Sequence, residues 1–219
     1  MPIEFPLWPA RLTRQEQSEA KDRAKLYAAE TKSRFRAAGW RFALGSAFLQ
    51  SGDWFASVEA HLTWKSGCVV RAVVKPMSLD PLFWDIVGLP ENRKLPLSFR
   101  TNGAWVLRPP FAEAHLGPLE SSPEALAGLA VEWAETLRAQ VPNLTVDDIL
   151  GVLDQAGTAK GSYRAALVCL RLLANDTGGA LAAIDEADEL DAGGFSFPAL
   201  DGSPTDFLQA ARRRINGLS

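Results

Sequence analysis

The sequence predicts an α+β protein: a long N-terminal helix, an antiparallel sheet of about five strands (a three-strand meander plus a hairpin), and a C-terminal helical part. Three observations lead there. Apolar residues recur at steps of three and four over residues 13 to 38. The period falls to two from Trp40 onward, and after Pro109-Pro110 it returns to the helical spacing. The expected division is therefore helix plus sheet over 1–118 and a helical part over 119–219, packed together as one unit.

Thr13 and Glu16 have the spacing of a capping box, in which side chain and backbone satisfy each other at a helix start. Ala20, Ala24, Tyr27, Thr31, Phe35 and Ala38 then form one narrow face, and Gly39 supplies the residue that ends a helix most easily. Trp40, Phe42, Leu44 and Phe48 alternate as a first strand, followed by the turn Ser51-Gly52-Asp53. Val58, Ala60, Leu62 and Trp64 alternate with Ser57, Glu59, His61 and Thr63, so the middle strand has one wet side. The turn Lys65-Ser66-Gly67 leads into a third strand, Val69 to Lys75.

Pro76 stops that strand, and Asp80 is placed to cap a short helix from Pro81 to Val87. Asn102-Gly103 between apolar runs is a strong hairpin signal, predicting strands over 97–100 and 104–108. Ser122 then caps a helix to about Gln140, with Pro123 first and Leu126, Leu129, Ala130, Trp133 and Leu137 on its apolar face. Thr145 caps another helix through Leu153. Residues 162–175 and 179–189 form a helical pair, and a last helix spans 204–215 with Arg212, Arg213 and Arg214 at its C-terminal end. Ala180, Ile184 and Ala187 have the spacing of one tetratricopeptide helix, but a single half-matching unit cannot stack into a solenoid. Residues 191–203, rich in Gly, Phe and Pro, read as a loop.

Composition excludes several chemistries. Two histidines, His61 and His115, stand apart, and no HxxxH or CxxC spacing occurs, so no metal or other cofactor is expected. Neither GxGxxG, GxxxxGK[ST] nor GxSxG is present. Cys68 and Cys169 lie in unlike contexts and read as free thiols. The opening residues, MPIEFPLWPARL, lack the pattern of a secretory signal, and no apolar run has the length of a membrane span. The expected location is cytoplasmic, with no membrane partner.

Charge is uneven. Residues 1–118 hold 16 Lys and Arg against 11 Asp and Glu, while residues 119–219 hold 7 against 15. The basic residues of the first helix are partly offset by Glu16, Glu19, Asp22 and Glu30, and they lack the aromatic interleaving of a nucleic-acid surface. No nucleic-acid partner is expected. The acidic run Asp185, Glu186, Asp188, Glu189 and Asp191 ends a helix, where acids oppose the dipole; it reads first as a solvated face and second as a contact for a basic partner or the N-terminal helix.

The stretch KPMSLDPLFWDIVGLPENRK, residues 75–94, concentrates acids, aromatics and turn residues. It reads first as a cover over the core. As a docking surface it would use Trp84 and Asp85, with Asp80, Arg93 and Lys94, because aromatic anchors dominate interface energetics.

Small α+β proteins with an antiparallel sheet, many aromatics and no visible catalytic set resemble bacterial immunity or accessory proteins, a fold-level analogy that transfers no residues. The expected function is that of a non-enzymatic protein-binding protein, an immunity-type inhibitor that masks a toxin, with another protein as its partner. The alternatives are a hydrolase-like enzyme using carboxylates such as Asp53, Asp80 or Asp85 in a sheet-helix cleft, and an adaptor subunit of a larger bacterial complex.

Overall fold

The computed structural model describes residues 13–63, 67–102, 106–118, 120–156, 161–189, 196–198 and 204–217. Trp64 with Lys65-Ser66, Gly103 to Trp105, and most of the loop expected over 191–203 lie outside them.

Helix α1 (Arg14–Ala37) starts on the capping box its sequence encodes: Glu16 N donates to Thr13 Oγ1 at 3.2 Å, and Thr13 N donates to the Glu16 carboxylate at 2.7 Å. At its far end Gly39 takes a φ of +84°, which lets Trp40 N reach back to Phe35 O at 2.9 Å. Tyr27, Thr31 and Phe35 are buried, but Ala20 and Ala24 are exposed. The apolar face therefore packs only along the second half of the helix.

Five antiparallel strands follow in spatial order: β1 (Arg41–Ala43), β2 (Ser46–Ser51), β3 (Trp54–Thr63), β4 (Gly67–Pro76) and β5 (Pro110–Leu116). The α+β class, the long helix, the five-strand antiparallel sheet and the C-terminal helices agree with the sequence reading. The assignment of two strands does not. The first expected strand is a hairpin, folded at Leu44-Gly45, where both residues have positive φ (51° and 81°). Such a turn matches the twist of two-residue hairpins, and the unusual occupant is Leu44.

Among the described residues on either side of Asn102-Gly103, the expected hairpin has no strand. Residues 99–102 make the short helix α3 (Phe99–Asn102), and Val106 to Pro109 have no regular structure. Here tertiary demand overrides a local turn signal. Lys75 Nζ donates to Arg100 O (3.1 Å) and Leu107 O (2.6 Å), and Leu107 N donates to Asp80 at 3.2 Å. The segment is thus bent around a buried lysine instead of pairing with itself. The fifth strand comes from 110–116, where Ala112, Ala114 and Leu116 alternate with Glu113 and His115. Pro110 is tolerated there because it is the first residue of an edge strand.

Paired residues across neighbouring strands share a face. One face of the sheet presents Ala47, Leu49, Ala56, Val58, Cys68, Val70, Ala72 and Val74, all part of the main apolar core with residues of α1 and of α4 (Pro123–Gln140). Tyr27 and Cys68 are joined across this contact by a 2.9 Å hydrogen bond, and burial pushes both groups' pKa values up. Trp40 meets Phe35 edge to face at 5.7 Å, and its indole N–H donates to Glu135 at 2.6 Å, tying the sheet entry to α4.

Helices α2 (Leu79–Ile86), α5 (Val146–Ala156), α6 (Gly161–Leu173), α7 (Thr177–Glu189) and α8 (Phe207–Ile215) complete the fold. Ser122 and Thr145 cap α4 and α5 as expected. In the α6–α7 turn Asp176 accepts from Gly179 N and Arg171, both at 2.8 Å. A Cβ on Gly179 would lie 2.1 Å from Asp176 Oδ2, so only glycine fits. Residues 204–206 are not helical; Pro204–Asp206 forms β7, paired with β6 (Ser196–Pro198), and Asp206 caps α8 through Leu208 N at 2.8 Å. The acidic run finds its basic counterpart here, since Arg212 of α8 binds Asp185 (2.6 Å) and Asp188 (2.8 Å).

Candidate functional site

The second face of the sheet carries the polar side chains, and they fall into two groups. One is sealed. Lys75 at the end of β4 is completely buried, with its Nζ 2.8 Å from Asp80 Oδ2 and 2.9 Å from Asp80 Oδ1. It lies over the Phe55 ring at 5.4 Å. Arg100, also buried, donates to Met77 O at 2.7 Å and approaches Asp80 at 3.8 Å. Burial drives the Lys75 pKa down, and the charge of Asp80 opposes that shift.

Asp80 is therefore not a cap. Helix α2 begins at Leu79, with Ser78 at the cap position making no side-chain hydrogen bond, and Asp80 turns inward to Lys75. Trp84 is 1% exposed, and Phe83 stacks on Phe207 of α8 at 5.2 Å. The docking surface expected around Trp84 thus loses its aromatic anchor and Asp80 to the interior. What stays outside is Asp85, ion-paired with Arg93, and the exposed Lys94. Asp53 sits exposed in the β2–β3 turn, and none of Asp53, Asp80 and Asp85 lines a described cleft.

The other group is open. Register places Ser46 opposite Glu59, Glu59 opposite Arg71, and Arg71 opposite Glu113, so one row of side chains crosses β2, β3, β4 and β5. Ser46 Oγ donates to Glu59 at 3.2 Å, and Arg71 Nε donates to Glu113 at 2.7 Å. Arg108 Nη2, reaching in from the segment before β5, binds Glu59 Oε1. His61 Nε2 lies 3.6 Å from Glu59 Oε2. The adjacent His61, aided by Arg108 and Ser46 against the cost of burial, holds the Glu59 pKa down to about 2.

Beside this row is a cleft of about 570 Å³, walled by Val152 of α5 and Tyr163 of α6. Its floor is the β4–β5 ladder at a bulge: Ala72 pairs with Ala112 and Val73 with Pro110, leaving Phe111 as the extra residue. Bulges redirect side chains and occur often beside functional sites. The volume lies in the range of ligand clefts.

These residues were legible only in part. Arg71 interrupts the apolar run Val69 to Val74, and Glu113 and His115 alternate with alanines. Both signals point to a charged strip on an otherwise buried sheet. Nothing local in the sequence says that Arg108 or Tyr163 joins them.

Among the described residues no group of three or more His, Cys, Asp or Glu could hold a metal ion, and no helix is long and apolar enough to cross a membrane. Comparisons with protein-family models, curated proteins and solved structures find no match to this chain.

Proposed function

We propose that this chain is a non-enzymatic protein-binding protein that receives a segment of another protein in the cleft between the second sheet face and helices α5 and α6. The observation that carries the reading is the cross-strand row Ser46–Glu59–Arg71–Glu113, with Ser46 and Arg108 hydrogen-bonded to Glu59 and Arg71 to Glu113, set beside the cleft at the β4–β5 bulge. A preformed pattern of opposite charges on rigid strands recognises a partner by complementarity at little ordering cost. Glu59 favours recognition over proton transfer. A general acid or base works best with a pKa near the operating pH, whereas Glu59 is held ionised down to about pH 2. The masking of a toxin by an immunity-type inhibitor is the specific form we propose, on the fold-level analogy alone.

Site-specific photo-crosslinking in the native cell tests this. A crosslinking residue at Val152 should capture a discrete partner, one at exposed Gln15 on α1 should not, and Arg71→Glu should abolish the Val152 adduct without unfolding the chain. Equal adducts from both positions, or an adduct indifferent to Arg71→Glu, would remove the cleft from the account.

A further inference from the structure

We infer that the cleft selects an acidic partner: a carboxylate side chain of the bound segment is taken up by Arg71 and Arg108 together. The inference rests on the protein-binding reading and adds the chemistry of what is bound.

A guanidinium has five N–H donors and no acceptor, and an ionised carboxylate only accepts. Glu59 Oε1 receives Arg108 and Ser46, and its Oε2 faces His61. Glu113 Oε2 receives Arg71, and its Oε1 lies 3.9 Å from His115. Glu59 Oε1 and Glu113 Oε2 are therefore engaged, and a histidine nitrogen stands before each of the other two oxygens at 3.6 and 3.9 Å. More donors than acceptors stay open. Arg71 uses Nε, and among the described residues its two terminal nitrogens make no hydrogen bond. Arg108 uses Nη2, while its Nε is buried with no hydrogen-bond partner. A buried unpaired donor carries a desolvation cost that an incoming acceptor relieves.

Both guanidiniums stand at one carboxylate: Arg108 binds Glu59, and Glu59 is the register partner of Arg71 and raises its pKa along with Glu113. Both line the cleft. The two free terminal nitrogens of Arg71, with Arg108 beside them, match the planar oxygens of a carboxylate. A lysine of the partner would meet two like charges, with His61 and His115 standing before the two carboxylate oxygens left open. A phosphate dianion would meet more repulsion from Glu59 and Glu113 than a singly charged carboxylate does. The row is thus neutral in formal charge yet has donors to spare, and an acid satisfies it.

The test uses the full chain at low salt, with the Nε–H resonances of Arg71 and Arg108 followed by ¹⁵N NMR. The probes are the peptide acetyl-Gly-Glu-Gly-Asp-Gly-amide, its Gln/Asn version and its Lys/Lys version. The acidic peptide should shift both arginine signals saturably, with the neutral peptide about tenfold weaker and the lysine peptide without effect. Arg71→Gln should weaken the acidic peptide at least fivefold. Arg108→Lys, which keeps the charge that faces Glu59 but loses the fork, should also weaken it. Glu113→Gln should tighten binding roughly two- to fivefold, because it removes the carboxylate that competes for Arg71. Unshifted arginines, a lysine peptide as effective as the acidic one, or a Glu113→Gln chain that binds no better would overturn the inference. If the Val152 adduct forms while both arginines stay unshifted, the acidic chemistry is wrong and the protein-binding reading stands. If neither appears, both fall.

Discussion

Lys75 and Arg71 stand on the same strand and the same face of the sheet, yet one is wholly buried and the other has a side chain 60% exposed. Around Lys75 the protein has gathered Asp80, Arg100 and two backbone carbonyls from a segment that would otherwise fold as a hairpin. Around Arg71 it has left Glu113 exposed, and Glu59 and Arg108 partly buried, beside an open cleft. The same residue types do different work because water is present at one and absent at the other. In the dry set a missing partner leaves an uncompensated buried charge, which is expensive. In the wet row solvent replaces a lost partner at small cost. The dry set therefore holds the fold, and the wet row is free to serve recognition.

The largest expected effect follows from breaking the dry set. Asp80→Ala should destabilise the chain by roughly 3–5 kcal/mol in urea unfolding, since it strands Lys75 in the interior. An effect below about 1 kcal/mol would mean that Lys75 is satisfied without Asp80. Trp84→Ala should cost a similar amount, about 3–5 kcal/mol, as expected for a buried indole. Were Trp84 an exposed anchor after all, its removal would leave the melting temperature nearly unchanged.

Acid titration sharpens the comparison on the wet side. Glu59 has its pKa lowered from the ordinary 4.5 to about 2 in the folded chain. The contribution it makes to stability is fully present above pH 4.5 and is lost as the pH falls through about 2. The stability difference between the native chain and Glu59→Gln should thus be constant from about pH 5 upward and shrink on acidification. A difference that grows as the pH falls would contradict the assigned partners.

How much of this was legible in the sequence depends on whether the controlling contact is local. The capping box at Thr13, the Gly39 stop, the Gly52 turn and the Ser122 cap are satisfied within a few residues of themselves, and the sequence reading placed all four. The β1–β2 turn was hidden because Leu44 is not a turn residue by preference, although Gly45 beside it is. Asp80 had a local role available as a cap and took a distant one instead, because Lys75 could not be buried without it. The cleft was harder still. Arg71 interrupts an apolar strand, but its neighbours Glu59, Arg108 with Glu113, and Tyr163 come from three separate parts of the chain. Register brings the strand residues together, and register is set by turns and bulges along the whole sheet.

The most direct test of the division between holding and recognising is the charge swap Arg71→Glu with Glu113→Arg. The two residues face each other across β4 and β5 in an exposed pair, so the exchange keeps that ion pair and reverses the pattern shown to a partner, while position 71 then repels Glu59 opposite it. Stability in urea and photo-crosslinking from Val152 should be measured on the same preparation. Unfolding free energy should stay within about 1 kcal/mol of the native chain, and the crosslinked adduct should be lost. A swapped chain that unfolds more than about 2 kcal/mol more easily, or one that still captures the partner at the native yield, would contradict that division.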